Sequence, residues 1–215
     1  MWPEGAVGVK VCGLTRPEDA AWCADLGVWG VGVVLAEASP RRVDARTAAA
    51  VCAAVPAGVA RVGVFVDAAP AQMAATARAA GLTHLQVHGA CDPAAARAAT
   101  GLPVIEGVRV TGPEALAAAR RSAADLVLLD AAVAGMHGGT GTPFDWSLLG
   151  TGGLGRPFAL AGGLRAETVA EAIALTSPLL VDVSSGVESA PGVKDRDRVA
   201  AFMAAVAGTR PRAAA

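Results

Sequence analysis

The sequence predicts a single (β/α)8 barrel of the α/β class, and three observations predict it. Short, β-branched apolar runs recur along the whole 215-residue chain. An alanine-rich helical stretch follows each run. The runs are continuous rather than alternating, as expected of parallel strands covered on both faces. They fall at residues 7–11, 30–35, 60–66, 84–87, 104–107, 126–129, 158–161 and 180–183, with starts 20 to 32 residues apart. That spacing holds one strand, one helix and two loops, and eight such units match a barrel near its lower size limit. A doubly wound open sheet would use five or six units and leave the remainder unplaced.

Helix starts are legible between the runs. Pro17 follows Arg16 and precedes Glu18-Asp19; residues 67–70 end in Pro70 before a helical stretch over 71–80. Asp92-Pro93 precedes 94–100, and Gly112-Pro113-Glu114 precedes 115–121. Proline suits a first helical turn, where its missing N–H would have had no partner. Gly27, Gly81 and Gly101 stand where helices should stop. A helix from about Glu167 follows the seventh run. No low-complexity linker divides the chain, so the expectation is one domain over residues 1–208 with a frayed tail over 209–215.

Composition excludes several classes. A chain of this length buries about 70% of the surface its unfolded form exposes, so it needs no disulfide or metal staple. Its 18 basic and 19 acidic residues lie in mixed order with a net charge of −1, which leaves no basic footprint for nucleic acid. Apolar runs shorter than about 18 residues give no membrane span. The N-terminal stretch lacks the parts of a signal peptide. Cys12, Cys23, Cys52 and Cys91 show no CxxC spacing. The expected location is the cytoplasm. Only Lys10 and Lys194 among the basic residues are lysine, which together with the abundant alanine reads as genome composition.

In a barrel, function sits at the C-terminal ends of the strands. Those ends carry Cys12, Arg41, Asp67, His88, Arg109, Asp130, Gly162-Gly163 and Ser184-Ser185-Gly186. The last two groups, at adjacent strands seven and eight, suit a phosphate: glycine lets the backbone approach an oxyanion, and a helix start donates N–H groups to it. Gly150-Thr151-Gly152-Gly153-Leu154-Gly155 fits G-x-G-x-x-G but precedes a strand, so it reads as a connection. Cys12 points at the barrel mouth, where it acts as base or nucleophile if a cation lowers its pKa; a small buried hydrophobe is the alternative. Asp130 closes an apolar strand, where desolvation should raise its pKa and suit it to general-acid work; a helix cap or a salt bridge is the alternative. Gly138-Gly139-Thr140-Gly141 fits a lid or a long surface loop. Arg41 can clamp a carboxylate in a bidentate fork, while Arg42 reads as a solvated surface residue. Gln86 and His88 alternate inward on the fourth strand, where ligand contact and a structural role both fit. His84, His88 and His137 lack ligand spacing, so no metal is expected.

These segments together resemble phosphoribosylanthranilate isomerases. The matching residues are Lys10-Val11-Cys12-Gly13-Leu14-Thr15, Gly63-Val64-Phe65-Val66, Leu85-Gln86-Val87-His88-Gly89 and Leu128-Leu129-Asp130. They continue through Gly138–Gly141 with Phe144-Asp145-Trp146, Leu160-Ala161-Gly162-Gly163-Leu164, and Val181-Asp182-Val183-Ser184-Ser185-Gly186-Val187-Glu188 with Lys194-Asp195. Nearly the whole chain is covered, from about residue 7 to 207. The resemblance implies a small (β/α)8 barrel that performs an Amadori rearrangement in tryptophan biosynthesis. It implies Asp130 as general acid, Cys12 as general base and Arg41 at the anthranilate carboxylate. It implies phosphate held by Gly162, Gly163, Ser184, Ser185 and Gly186, and further substrate contacts at Gln86, His88 and Asp182. It implies no cofactor, and a monomer or homodimer acting on a phosphorylated small molecule. The Thr142-Pro143 approach to Phe144 is stiffer than the family pattern, and Arg42 competes with Arg41 for the carboxylate.

Two rival readings stand beside this one. A related isomerase barrel serving both histidine and tryptophan pathways generally carries an aspartate where this chain has Cys12. A non-catalytic barrel binding a phosphorylated aromatic ligand needs the phosphate loops but neither an acid nor a base.

Overall fold

The computed structural model describes residues 2–130 and 153–209. The Gly138–Gly141 segment, Phe144-Asp145-Trp146, His137, the beginning of the G-x-G-x-x-G stretch and the tail beyond Thr209 lie outside these residues. Eight parallel strands close into one barrel in sequence order. They are β1 (Gly8–Cys12), β2 (Gly30–Val34), β3 (Ala60–Val66), β4 (His84–His88), β5 (Val104–Arg109), β6 (Leu126–Asp130), β7 (Phe158–Ala161) and β8 (Leu180–Val183). β1 pairs with both β2 and β8, which closes the ring. All eight expected strands are present, three with unchanged bounds and the others with bounds moved by one or two residues.

The helices of the outer layer, among the described residues, are α1 (Pro17–Asp25), α2 (Ala45–Ala53), α3 (Pro70–Ala80), α4 (Pro93–Thr100), α5 (Pro113–Arg121), α6 (Ala166–Thr176) and α7 (Arg196–Ala207). The prolines at the starts of α1, α3, α4 and α5 stand where the sequence puts them. Asp44, Asp92 and Asp195 cap α2, α4 and α7 by accepting backbone N–H groups. Gly81 and Gly101 end α3 and α4 in the left-handed conformation. No helix among the described residues is long and apolar enough to cross a membrane.

Two apolar layers result. The larger lies between barrel and helices, built from outward strand residues such as Val9, Val31, Leu85 and Leu129 with Cys23, Cys52, Ile173 and Phe202 of the helices. Cys23 and Cys52 are therefore the small buried hydrophobes the sequence suggests. The smaller layer fills the barrel itself with Ala60, Val62, Ile105, Leu126, Leu128, Ala159 and Leu180. Side chains alternate along each strand, so the register of these core residues also points Lys10 and Cys12, Gln86 and His88, Asp130, and Asp182 inward. One element was not anticipated. After β8 the chain forms a 3-10 turn over Ser185–Val187 and then a hairpin of β9 (Glu188–Ala190) and β10 (Val193–Lys194). Thr15 donates to the Gly192 carbonyl and the Lys194 N–H donates to Asp19, tying this hairpin to the β1–α1 connection.

Candidate active site

A cavity of about 390 Å³ opens at the C-terminal end of the barrel. Cys12, Arg41, Gln86, His88, Asp130 and Asp182 line it, together with Gly162, Gly163, Ser184, Ser185 and Gly186. Every residue singled out from the sequence as a catalytic, substrate or phosphate candidate thus faces one space. Val64, Leu128, Ala161 and Leu164 supply its apolar wall. Asp67 and Arg109, also at strand ends, do not line it; Asp67 accepts from the Ala90 N–H and braces the β4 loop.

The two glycine-rich ends are built against each other. Gly162 and Gly163 follow β7 with φ of 97° and 66°, a region that favours glycine. Gly186 sits so close to the Leu164 carbonyl oxygen that a Cβ there would collide with it. The turn after β8 and the loop leading to α6 therefore pack backbone to backbone, and α6 starts immediately beyond.

Arg41 is fixed by partners the sequence did not reveal. Its Nε and Nη2 donate to the two carboxylate oxygens of Glu188 at 2.8 and 2.5 Å. Lys194 Nζ donates to the same carboxylate at 2.6 Å and to the Ser184 carbonyl at 3.3 Å. Burial pushes the Glu188 carboxyl up, but the hydrogen bonds from Arg41 and Lys194 outweigh it and hold the group below the ordinary carboxylate range. Arg41 Nη1 makes no hydrogen bond among the described residues, and Arg41 lines the cavity. Gly13 makes room for this arginine, since a Cβ there would fall 2.5 Å from Arg41 Cδ. Arg42 instead pairs with the exposed Glu37 at 2.7 Å, the surface role expected for it.

Cys12 stands above a buried ion pair. Lys10, two residues earlier on the same face of β1, is fully buried, and its Nζ donates to Asp182 Oδ1 at 2.9 Å. The charge of Lys10 also acts on the Cys12 thiol. The cation that a base role asks for is present, but the thiol is not lowered on balance. Burial raises the Cys12 thiol, and the pull of Lys10 only partly offsets that. Desolvation likewise raises the Asp182 carboxyl against the pull of Lys10.

On β4, Gln86 Nε2 and His88 Nε2 are 2.8 Å apart. Burial lowers the His88 pKa, with the charge of Asp130 opposing it, so the imidazole is neutral near pH 7 and accepts from the amide. Gln86 is only 3% exposed, and its Oε1 has no hydrogen-bond partner. The residue itself lines the cavity. The His88 ring lies directly over Gly107 of β5, in the space a Cβ would occupy.

Lys10, Glu188, Lys194, Gly32 and Gly107 are site residues that motif reading did not assign. One signal for two of them was in the composition. The chain has only two lysines, and both are buried beside this cavity.

The family model of N-(5′-phosphoribosyl)anthranilate isomerase matches residues 9–205. An N-(5′-phosphoribosyl)anthranilate isomerase of Acidithiobacillus ferrooxidans is 47% identical over 205 residues, covering 94% of this chain and 98% of its own. Among solved structures, a phosphoribosylanthranilate isomerase in complex with reduced 1-(o-carboxyphenylamino)-1-deoxyribulose 5-phosphate superposes with a TM-score of 0.80 at 34% identity, over 94% of this chain and 99% of its own. A dimeric phosphoribosylanthranilate isomerase from Thermotoga maritima, solved as generated monomers, gives a TM-score of 0.81 at 33% identity with the same coverage. With a model spanning nearly every strand and helix, and relatives matched end to end, the chain belongs to the N-(5′-phosphoribosyl)anthranilate isomerase family.

Proposed function

We propose that this protein catalyses the Amadori rearrangement of N-(5-phosphoribosyl)anthranilate to 1-(2-carboxyphenylamino)-1-deoxyribulose 5-phosphate in tryptophan biosynthesis. One observation carries the reading: Cys12 on β1 and Asp130 on β6 line the same cavity as the two glycine-rich loops and Arg41. A non-catalytic binder gives no reason to place a thiol and a carboxyl in that space.

In this reading the phosphate sits against the backbone of Gly162, Gly163, Ser184, Ser185 and Gly186 near the start of α6. The anthranilate carboxylate takes the free edge of Arg41, which Glu188 orients from the other side. Anchoring both ends holds the sugar between acid and base and turns binding energy into orientation. Asp130 protonates the furanose ring oxygen, and the ring opens to a Schiff base. Cys12 then removes the proton from C2′, giving an enolamine that tautomerises to the ketone. The iminium of the substrate is itself the electron sink, so the step calls for no cofactor. Gln86 and His88 of β4 contact the substrate in this reading, and their mutual hydrogen bond orients the two side chains.

The protein acts in the cytoplasm as a monomer or homodimer, with a small phosphorylated molecule and not nucleic acid as its partner. The net charge of −1 supports the last point. A single domain over residues 1–208 is part of this reading. The test is a fluorescence assay following loss of phosphoribosylanthranilate made in situ, on wild type and Asp130→Asn. Turnover by wild type alone is expected; no turnover by folded wild type overturns the reading.

A further inference from the structure

We propose that Lys10 is the positioning residue that makes Cys12 a base: its ammonium is the counter-charge of the thiolate, and Asp182 holds the proton that the thiol gives up. This rests on the reading of Cys12 as the general base.

The geometry is specific. Lys10 and Cys12 are alternate residues of β1, so both point into the barrel. Lys10 is in register with Asp182 on β8, and Cys12 with Gly32 on β2. A Cβ on residue 32 would lie 2.9 Å from Cys12 Sγ and 3.1 Å from Lys10 Nζ. Glycine there leaves open the volume that borders both the ammonium and the sulfur. The choice of lysine is equally pointed, because every other basic residue of the chain except Lys194 is arginine. A compact ammonium fits below the thiol where a planar guanidinium fork would not.

A purely structural role is a poor account of this pair. Burying two charges in an apolar layer is costly, and apolar residues of similar volume serve stability as well or better.

Four charged groups face the sulfur: Lys10 from β1, Asp182 from β8, Lys194 from β10 and Arg41 from the segment after β2. Lys194 and Arg41 share Glu188, whose carboxyl their own hydrogen bonds hold ionised. Asp182 differs, since burial and the nearby Asp130 charge push it toward the protonated form. Lys10 is therefore the cation whose charge is released to Cys12.

The proton balance closes within three groups. One ammonium between two acids in a buried site favours a single anion. In the resting arrangement Asp182 is ionised and Cys12 is a thiol. Lys10 passes a proton to Asp182 and takes the proton of Cys12, ending as the ammonium it was. Asp182 is then the neutral acid, Cys12 the thiolate, and no proton has entered or left.

The experiment is the rate of iodoacetamide alkylation of Cys12 against pH in the full-length protein, with Cys12→Ser subtracting the other cysteines. Lys10→Met should slow alkylation near pH 8 by about tenfold or more, the effect of one unit of pKa. Asp182→Asn should speed it severalfold, because the thiolate becomes the ammonium's remaining anion in the barrel. The double variant carries no unpaired charge, which guards against a Lys10→Met chain that fails to fold, and should be slow. Unchanged profiles in Asp182→Asn and the double variant overturn the proposal. The thiol titration needs no substrate, so the two readings separate. Turnover of phosphoribosylanthranilate without these opposite shifts sinks the role of Lys10 alone. The shifts in a wild type without turnover sink the functional reading.

Discussion

Arg41 and Glu188, 147 positions apart in sequence, meet at the barrel mouth in a two-pronged ion pair of 2.8 and 2.5 Å. Neither residue lies on a barrel strand: Arg41 follows β2, and Glu188 opens the hairpin beyond β8. The pair spans the β1 connection, with Gly13 beneath the arginine side chain. It fixes which edge of the guanidinium Glu188 occupies.

Glu188→Gln should therefore damage binding and stability together. The amide offers one acceptor oxygen in place of two, and it leaves the buried Lys194 without its counter-charge. Removing one partner of a buried charge pair costs about 3–5 kcal/mol, so the melting temperature should fall. KM for phosphoribosylanthranilate should rise about tenfold or more, with kcat changed less. Steady-state kinetics with a thermal melt checks both; a variant with wild-type KM would remove Glu188 from the orientation of Arg41.

Cys12→Ser and Asp130→Asn remove the proposed base and acid with little change of volume. Each should lower kcat by about 10²–10⁴, the usual contribution of a positioned general acid or base. Binding of a product analogue should be nearly unchanged, because the phosphate loops and Arg41 are untouched. Calorimetric titration alongside the kinetics tests the split. A wild-type rate in either variant would take that residue out of the mechanism.

The barrel was legible because its signal is one-dimensional. A parallel strand covered on both faces reads as an unbroken apolar run such as residues 126–129, and proline before Ala71 or Ala94 marks a helix start whatever the tertiary context. The strand-end positions of Cys12, Asp130, Gly162-Gly163 and Ser184-Ser185-Gly186 follow from that same count. The hairpin Glu188–Lys194 was not legible, because strands of three and two residues carry no periodicity. Nor were the charge partners. That Lys10 faces Asp182, or Arg41 faces Glu188, depends on register around the ring and not on spacing along the chain. The net effect on Cys12 is not legible for a related reason: a sequence suggests that a cation is near, but not how far burial outweighs it.

Gly107→Ala tests how closely His88 is held. The imidazole occupies the place of the missing Cβ, so an alanine methyl must push the ring toward the cavity. The displaced ring breaks the contact with Gln86 and intrudes where the sugar would lie. The expected result is a stability loss of about 1–3 kcal/mol from overpacking and a larger loss in kcat/KM. Gly107→Ala with unaltered kinetics would show that the His88 position is not required.

At the opposite end of the barrel, His84 gives a pH-dependent stability term. Trp2 and Trp29 stack at 5.4 Å, and the His84 ring meets each edge-on at 5.2 Å. Burial in this cluster lowers the imidazole pKa from 6.5 to about 4. Its Nδ1 contacts the Thr83 hydroxyl, whereas its buried Nε2 has no partner. The unfolded chain thus binds a proton at a higher pH than the folded one. Between those two pKa values protonation favours unfolding, so stability falls as pH drops from about 6.5 and levels off below about 4. The full difference is about 3 kcal/mol. Carboxylates titrate in the lower part of the same window, so the comparison is with His84→Gln, which keeps them and removes the imidazole. Denaturant melts at pH 7 and pH 4 should show wild type losing about 3 kcal/mol more than the variant; parallel losses would mean that the folded state accepts the His84 proton without penalty.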